Sequence, residues 1–537
     1  AVAFAGAAAA LGAVLRLSAR RALQPLSVVL AGLVVSLYLG SLTGIVMLFF
    51  SEETRGVMQW GSGSLVQDSW RDTLGLLWRI AVAAILTAFL IKPLNIMSLG
   101  DTQAESAGIP VKKIRLLSLA VAAFLSAGVV GFVGMMGFVG LAAATLVRQM
   151  GVRTLSMRLI CSFIVGALLL MLTDNGLMLL KHYRGTDLPA GAVTALVGAP
   201  LLLWLTAKAP PRPSFQTTSD ISTAAPHVPR LLHFLLLIAV AVSVLAFTVG
   251  RYDETLRLTI DPEYFVFRYP RVLLAAATGT MLALTGVILQ RLTQNPMAGP
   301  ELLGISSGTA FGAMSVVMLF GITSGSSWFW LTGIVSALVS LGLLMLFNRK
   351  NGFTPEKILL TGMALAALAD AAIRIWMATG DFRVQLLLLW MSGSTYQATP
   401  ESALTVGLLA AASLLLILTL QRWLGLLSLN PTIACSVGIN VPLARLVLIV
   451  SSAALTALST LLIGPLSFVG LLAPHLARML GARLPKQQLA AAALIGASVM
   501  MTADWLGRQI MFPYEVPAGM MATLIGGAYF MMMMRKL

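Results

Sequence analysis

Apolar residues run through this chain in blocks of about 20, divided by short polar turns. In the C-terminal part the blocks fall near residues 231–250, 271–290, 302–320, 328–347, 356–378, 403–421, 444–462, 466–481, 487–506 and 518–534. In the N-terminal part they fall near 1–15, 26–50, 73–91, 114–132, 136–150, 155–177 and 189–205. About 20 apolar residues in helical form cross the roughly 30 Å of hydrocarbon in a bilayer. Strands of a membrane barrel would be about ten residues long and alternate in polarity, and that pattern is missing. The blocks predict an all-α polytopic membrane protein of about seventeen transmembrane helices. The block at 466–481 is short and holds Pro474-His475, which makes it the weakest span.

The pattern repeats at a fixed offset of 330 residues: Pro25 matches Pro355, Gly32 matches Gly362, and Trp60 matches Trp390. Ser62-Gly63-Ser64 matches Ser392-Gly393-Ser394, Gly108 matches Gly438, Arg115 matches Arg445, and Asp174 matches Asp504. Phe138 to Arg153 and Phe468 to Arg483 share 9 of 16 positions. A long internal repeat fixes architecture before anything else. It predicts two copies of one bundle: a first half at 1–208 and a second, complete half of about ten helices at 230–537. Residue 1 falls opposite residue 331, so the first half reads as truncated, without about its first three helices. Between the halves, residues 209–229 (APPRPSFQTTSDISTAAPHVP) are rich in Pro, Ser and Thr and read as a flexible linker.

Composition agrees: 58% of residues are hydrophobic and only 10% charged, against about 25% charged in soluble domains. The net charge of +16 is the mark of basic cytoplasmic loops. Nucleic-acid binding would need a basic polar domain, and the sequence has none. Arg291, Arg349-Lys350, Arg422, Arg483, Lys486 and Arg535-Lys536 fall in one set of loops. The arginines of the opposite set sit among acids such as Asp261, Glu263 and Asp381. The first set, the linker and both ends of the second half are therefore expected in the cytoplasm. An even span count per half makes the repeats parallel, related by an axis along the membrane normal. Cys161 and Cys435 do not correspond across the repeat and give no disulfide or cysteine metal site. The lone His475 reads as a packing residue, and the four histidines form no metal cluster.

The most motif-like stretch is Gly279 to Gly308 (GTMLALTGVILQRLTQNPMAGPELLGISSG). Gly279 and Gly286 are seven apart on one helix, and such small residues let neighbouring helices approach closely. Asn295-Pro296 is a turn dipeptide, and Pro300-Glu301 reads as the start of the next helix, with an acid in its first turn. Ser98 to Ile109 (SLGDTQAESAGI) and Ser428 to Ile439 (SLNPTIACSVGI) each read as a short loop helix ended by glycine. Asp504 and Arg508, and likewise Asp370 and Arg374, stand four apart on a helix and can pair.

These motifs resemble the cobalamin and iron-siderophore permease family of ABC importers. The resemblance lies in R-x-P-R at Arg268 to Arg271, G-x-x-x-A-x-x-G-x-x-x-Q at Gly279 to Gln290, and N-P-x-A-x-P-E-x-L-G-x-S-x-G at Asn295 to Gly308. It continues through Trp390 to Ser394, Gly464 to Arg483, Ala503-Asp504, and Pro517-Ala518-Gly519. Two such halves on one polypeptide are similar to the ferric-hydroxamate (ferrichrome-type) branch. The resemblance implies that the two loop helices couple to cytoplasmic ATPase subunits. Asp101, Ala104, Ser106 and Gly108 would carry this in one loop, and Pro431, Ala434, Ser436 and Gly438 in the other. It implies that Arg268, Arg271 and Arg508 meet glutamates of a periplasmic siderophore-binding protein. The first half has Met178 where Arg508 would fall, which makes that docking asymmetric. Asp370 and Arg374, with Trp390, Ser392 and Ser394, are candidates for lining the pathway, since ionisable groups within a span face protein or water.

The chain has no G-x-x-x-x-G-K-[ST] loop to cradle phosphates. ATP hydrolysis is expected on partner chains, two copies of an ABC ATPase, and no cofactor or catalytic residue is expected here. The expected function is passage of iron(III)-hydroxamate chelates from periplasm to cytoplasm across a bacterial inner membrane by alternating access. A cobalamin or haem importer of the same family is an alternative. So is an ion-coupled secondary transporter, which would want acids at midspan.

Overall fold

A computed structural model of the chain describes all residues except 1, 20–24, 51, 68, 186–187, 209–227, 253–254, 260, 296–297, 323–325, 350–354, 378–380, 430, 467 and 537. Most of the 209–229 linker thus lies outside the described residues. The first half consists of α1 (Val2–Ser18), α2 (Pro25–Phe49), α3 (Arg55–Gly61), α4 (Trp70–Met97), α5 (Asp101–Ser106), α6 (Val111–Val133), α7 (Val139–Gln149), α8 (Leu155–Arg184) and α9 (Ala190–Lys208). The second begins with α10 (Val228–Thr248), a hairpin of β1 (Val249–Tyr252) and β2 (Thr255–Leu258), α11 (Pro262–Thr293), α12 (Ile305–Phe320) and α13 (Ser327–Asn348). It continues with α14 (Pro355–Met377), α15 (Phe382–Met391), α16 (Pro400–Thr419), α17 (Gln421–Leu429) and α18 (Pro431–Ser436). It ends with α19 (Val441–Ile463), α20 (Val469–Met479), α21 (Pro485–Ile510) and α22 (Ala518–Lys536).

Every apolar block is a helix. Among the described residues, 11 helices are long and apolar enough to cross a membrane, and four shorter apolar helices join them. The blocks at 136–150 and 466–481 fold as α7 and α20, 11 residues each, about 16 Å at 1.5 Å per residue. That is well short of the hydrocarbon thickness, so neither crosses by itself. His475 of α20 packs its ring 5.3 Å from that of Phe530.

The 330-residue offset reappears in three dimensions. α2 packs on α22, and its counterpart α14 packs on α9, the counterpart of α22. The halves are thus joined by two matching helix pairs, the arrangement that a pseudo-two-fold axis between equivalent copies requires. A core cluster crosses this joint, with Ala31, Val34 and Val35 of α2 against Phe468, Leu472 and Phe530.

α11 is the centre of the second half and packs on α16, α19, α20 and α21. A Cβ on Gly279 would strike the carbonyl oxygen of Gly496 on α21, and one on Gly286 the carbonyl oxygen of Gly470 on α20. The seven-residue glycine spacing therefore sets two close helix approaches.

Two boundaries differ from expectation. α11 begins at Pro262, not near 271, because Asp261 caps it by accepting from Glu263 N at 3.1 Å and Pro262 supplies the preset φ of a first helical residue. Arg268 and Arg271 consequently lie inside the helix instead of preceding it. Pro300–Leu303 is a separate 3₁₀ turn, because Gly304 takes φ 70° before α12 starts. Glu301 is thus not the first-turn acid of α12. Its two carboxylate oxygens are buried without a hydrogen-bond partner, and burial pushes its pKa up to about 8.

Candidate functional site

Two short helices stand at corresponding places in the halves. α5 links α4 to α6, and α18 links α17 to α19. Each ends in the same double cap. Gly108 N donates to Glu105 O at 2.9 Å and Ile109 N to Ala104 O at 3.0 Å. Gly438 N donates to Cys435 O at 2.9 Å and Ile439 N to Ala434 O at 3.0 Å. This is the Schellman closure, in which the residue after the cap turns left-handed. Gly108 at φ 80° and Gly438 at φ 88° meet that demand, which side chains with a Cβ meet only under strain. Ala104 and Ala434 are both fully buried under their helices, while Ser106 and Ser436 are exposed. Pro431 opens α18, where Asp101 opens α5. Asp101 accepts from Arg115 Nη2 at 2.7 and 2.8 Å.

α11 measures the distance from these helices to the arginines. Gln294, just past its C-terminal end, donates through Nε2 to Ser428 O at 3.2 Å, close to α18. Arg271 lies 23 residues earlier, about 35 Å along the axis. The arginines and α18 therefore stand at opposite ends of α11, a helix long enough to cross a membrane.

At the arginine end, Arg271 forms a bidentate pair with Glu515, Nη1 to Oε1 at 2.8 Å and Nη2 to Oε2 at 2.7 Å. Its Nη2 also lies 3.6 Å from Asp504 Oδ1. Asp504 takes Arg508 Nη2 at 3.0 Å on its other oxygen, the pairing expected four residues apart, and accepts from Thr395 Oγ1. Arg268 donates to Phe247 O at 2.7 Å and is 8% exposed. The side chains of Arg271 and Arg508 are 14% and 9% exposed. All three arginines hold partners within the chain and show little surface outward. Trp505 Nε1, donating to Val249 O at 3.0 Å, ties the hairpin to the same rim.

Trp390 is buried with Nε1 directed at Leu461 O, 3.4 Å away, and packs edge-on against Phe329. Ser392 is buried, and Ser394 Oγ accepts from Tyr396 N at 3.1 Å. Asp370 bonds the side chain of Ser307 on α12, with Arg374 near enough to act on its charge. Ile373 of α14, next to Arg374, shares an apolar cluster with Trp390.

Thr395 and Glu515 complete the outer cluster but carried no sequence signal. Glu515 is 244 residues from Arg271, and no local periodicity reports such a contact. Its one clue was position, in the turn that separates Asp504 and Arg508 from Pro517-Ala518-Gly519.

The FecCD transport family matches residues 1–208 and 231–536. The chain is 38% identical over 522 residues to the iron(3+)-hydroxamate import system permease protein FhuB of Escherichia coli (strain K12), covering 96% of this chain and 78% of that protein. Other relatives align with about half of it. The Fe(3+)-citrate import system permease protein YfmE of Bacillus subtilis (strain 168) is 36% identical, covering 50% of this chain and 80% of that protein. The hemin transport system permease protein HmuU of Yersinia pestis is 34% identical, covering 56% and 95%. A metal-chelate type ABC transporter solved in an inward-facing conformation is 28% identical with TM-score 0.51, covering 58% of this chain and 100% of that one. With the family matched on both sides of the linker, the chain belongs to the FecCD transport family.

Proposed function

We propose that the protein is the permease of an ABC importer that carries iron(III)-hydroxamate siderophores from periplasm to cytoplasm. It is a multi-pass protein of the bacterial inner membrane and a transporter component. The observation that carries the substrate is the 38% identity to an iron(3+)-hydroxamate permease across 96% of the chain, both halves included. The iron travels inside its chelate as cargo, and no residue of this chain need ligate it. The mechanism that fits is alternating access. ATP-driven closure of two copies of a separate ATPase would push on α5 and α18, and the paired joints α2–α22 and α9–α14 would let the halves tilt. Energy then enters as mechanical work on two loops, which asks for no catalytic residue and no cofactor on this chain.

At the outer face the loaded siderophore-binding protein docks on the rim that holds Arg268, Arg271 and Arg508. Glu515, whose side chain is 34% exposed, already occupies Arg271. A docking carboxylate therefore has to share or displace Glu515.

Proteoliposomes holding the protein, its ATPase and its binding protein test the reading. Uptake of a ferric hydroxamate is expected with ATP inside and none without it. Uptake driven by a pH gradient with the ATPase left out would overturn the proposal in favour of ion coupling.

A further inference from the structure

α5 and α18 share a backbone and a burial pattern but not a surface. In residues 98–115 the ionised side chains are Asp101, Glu105, Lys112, Lys113 and Arg115; in 428–445 there is only Arg445. Glu105, Lys112 and Lys113 are exposed, and Asp101 is half-exposed while it holds Arg115. The matching positions of the second loop carry Cys435, Pro442, Leu443 and Pro431. Ile433 of α18 is 46% exposed and Val437, just past its end, 63%, where the first loop has Gln103 and Ala107.

We infer that the two coupling helices engage the ATPase by different chemistry, α5 through charged groups and α18 through apolar contact. This rests on the reading of both loops as ATPase-docking elements. Two copies of one ATPase chain present one socket twice, so that socket has to accept both plugs. It therefore has an apolar floor, which receives Ile433 and Val437, and a charged rim that only the α5 loop uses. Exposed charge contacts weaken as salt rises, with a screening length of about 10 Å at 0.1 M. Apolar burial is not screened in this way. The two sockets thus differ in salt dependence although their geometry matches.

The test uses the full chain in nanodiscs and its purified ATPase, with binding measured from about 50 to 500 mM salt, where screening tightens several-fold. Changing the first loop to the second (Gln103→Ile, Glu105→Cys, Lys112→Pro, Lys113→Leu) is expected to flatten the salt dependence. The converse change (Ile433→Gln, Cys435→Glu, Pro442→Lys, Leu443→Lys) is expected to steepen it. Lys112→Gln with Lys113→Gln leaves α5 untouched and is expected to lower the slope too, which covers the case of a misfolded exchange. Unchanged slopes in all three overturn the inference. Cross-linking of the ATPase to Ser106→Cys and Ser436→Cys reports separately on the docking reading. Cross-links at both sites with unchanged slopes sink only the inference, whereas cross-links at neither sink the docking itself.

Discussion

The inner and outer faces of this protein treat the repeat differently. On the inner face both halves keep the same short helix, the same left-handed glycine and the same two capping bonds, at 2.9 and 3.0 Å in each half. On the outer face the second half has an ion cluster around Asp504, while the first has Asp174 at the matching position with Met178 and Leu65 where Arg508 and Thr395 would stand. Geometry is preserved where two copies of one partner would have to fit. It diverges where a single partner would meet both halves at once.

The largest effect is expected from breaking the inner match. Proline fixes φ near −65° and has no N–H, so Gly108→Pro and Gly438→Pro each reverse a left-handed turn and delete the bond to Glu105 O or Cys435 O. Each is expected to cut uptake at least about tenfold while the ATPase still hydrolyses ATP, and the double variant to abolish uptake. Parallel uptake and phosphate-release assays check this. Normal transport by both single variants would remove α5 and α18 from the coupling path.

The outer face comes next. Asp504 is buried between Arg271 and Arg508. Asp504→Ala leaves the buried guanidinium of Arg508 without its counter-charge, while Arg271 keeps Glu515, a loss of about 3–5 kcal/mol. Asp174→Ala, at the matching position of the first half, is expected to cost less than about 1 kcal/mol. Thermal unfolding of the two variants side by side measures the difference, and equal losses would mean that the cluster does not set the halves apart.

Much of this was legible because it is local. The apolar blocks, the glycines seven apart on α11 and the turn glycines of α5 and α18 each act within a few residues, and each sits where the pattern placed it. The start of α11 was missed because Pro270 and the charges of Glu263 and Arg268 interrupt the apolar run, whereas the cap at Asp261 starts the helix before them. The β1–β2 hairpin was missed because its order comes from Trp505 and Arg251 bonding across to and from α21. The partners of Arg271 were hidden for the same reason, being set by folding at long range.

Glu301 belongs to the second half and gives a smaller, pH-dependent effect. Its carboxyl is raised from 4.5 to about 8 by burial. Between those values the unfolded chain has lost the proton and the folded one keeps it. The contribution of Glu301 to stability is therefore most favourable below pH 4.5, falls as pH rises through this window, and levels off above about 8. Glu301→Gln removes the titration. It is expected to flatten the profile and to raise stability near pH 8 by about 1–3 kcal/mol. Melting curves from pH 5 to 9 test the sign, and a wild-type profile that is already flat rules the mechanism out.

The smallest effect sharpens the inner comparison most. The side chain of Asp101 is 51% exposed and that of Arg115 18%, so their pair lies in high dielectric and gains under about 1 kcal/mol. α18 closes through the same capping bonds with Pro431 in place of the acid. The carboxylate is thus not what holds the short helix; buried Ala104 and the glycine turn are. Asp101→Asn is therefore expected to leave amide exchange at Gly108 and Ile109 as slow as before. At low salt it is expected to weaken ATPase binding, because the α5 loop loses one charge while the backbone that carries it stays put. Fast exchange at those two amides would instead show that the first half depends on an ion pair the second never had, and the match between the loops would then be one of shape reached by different forces.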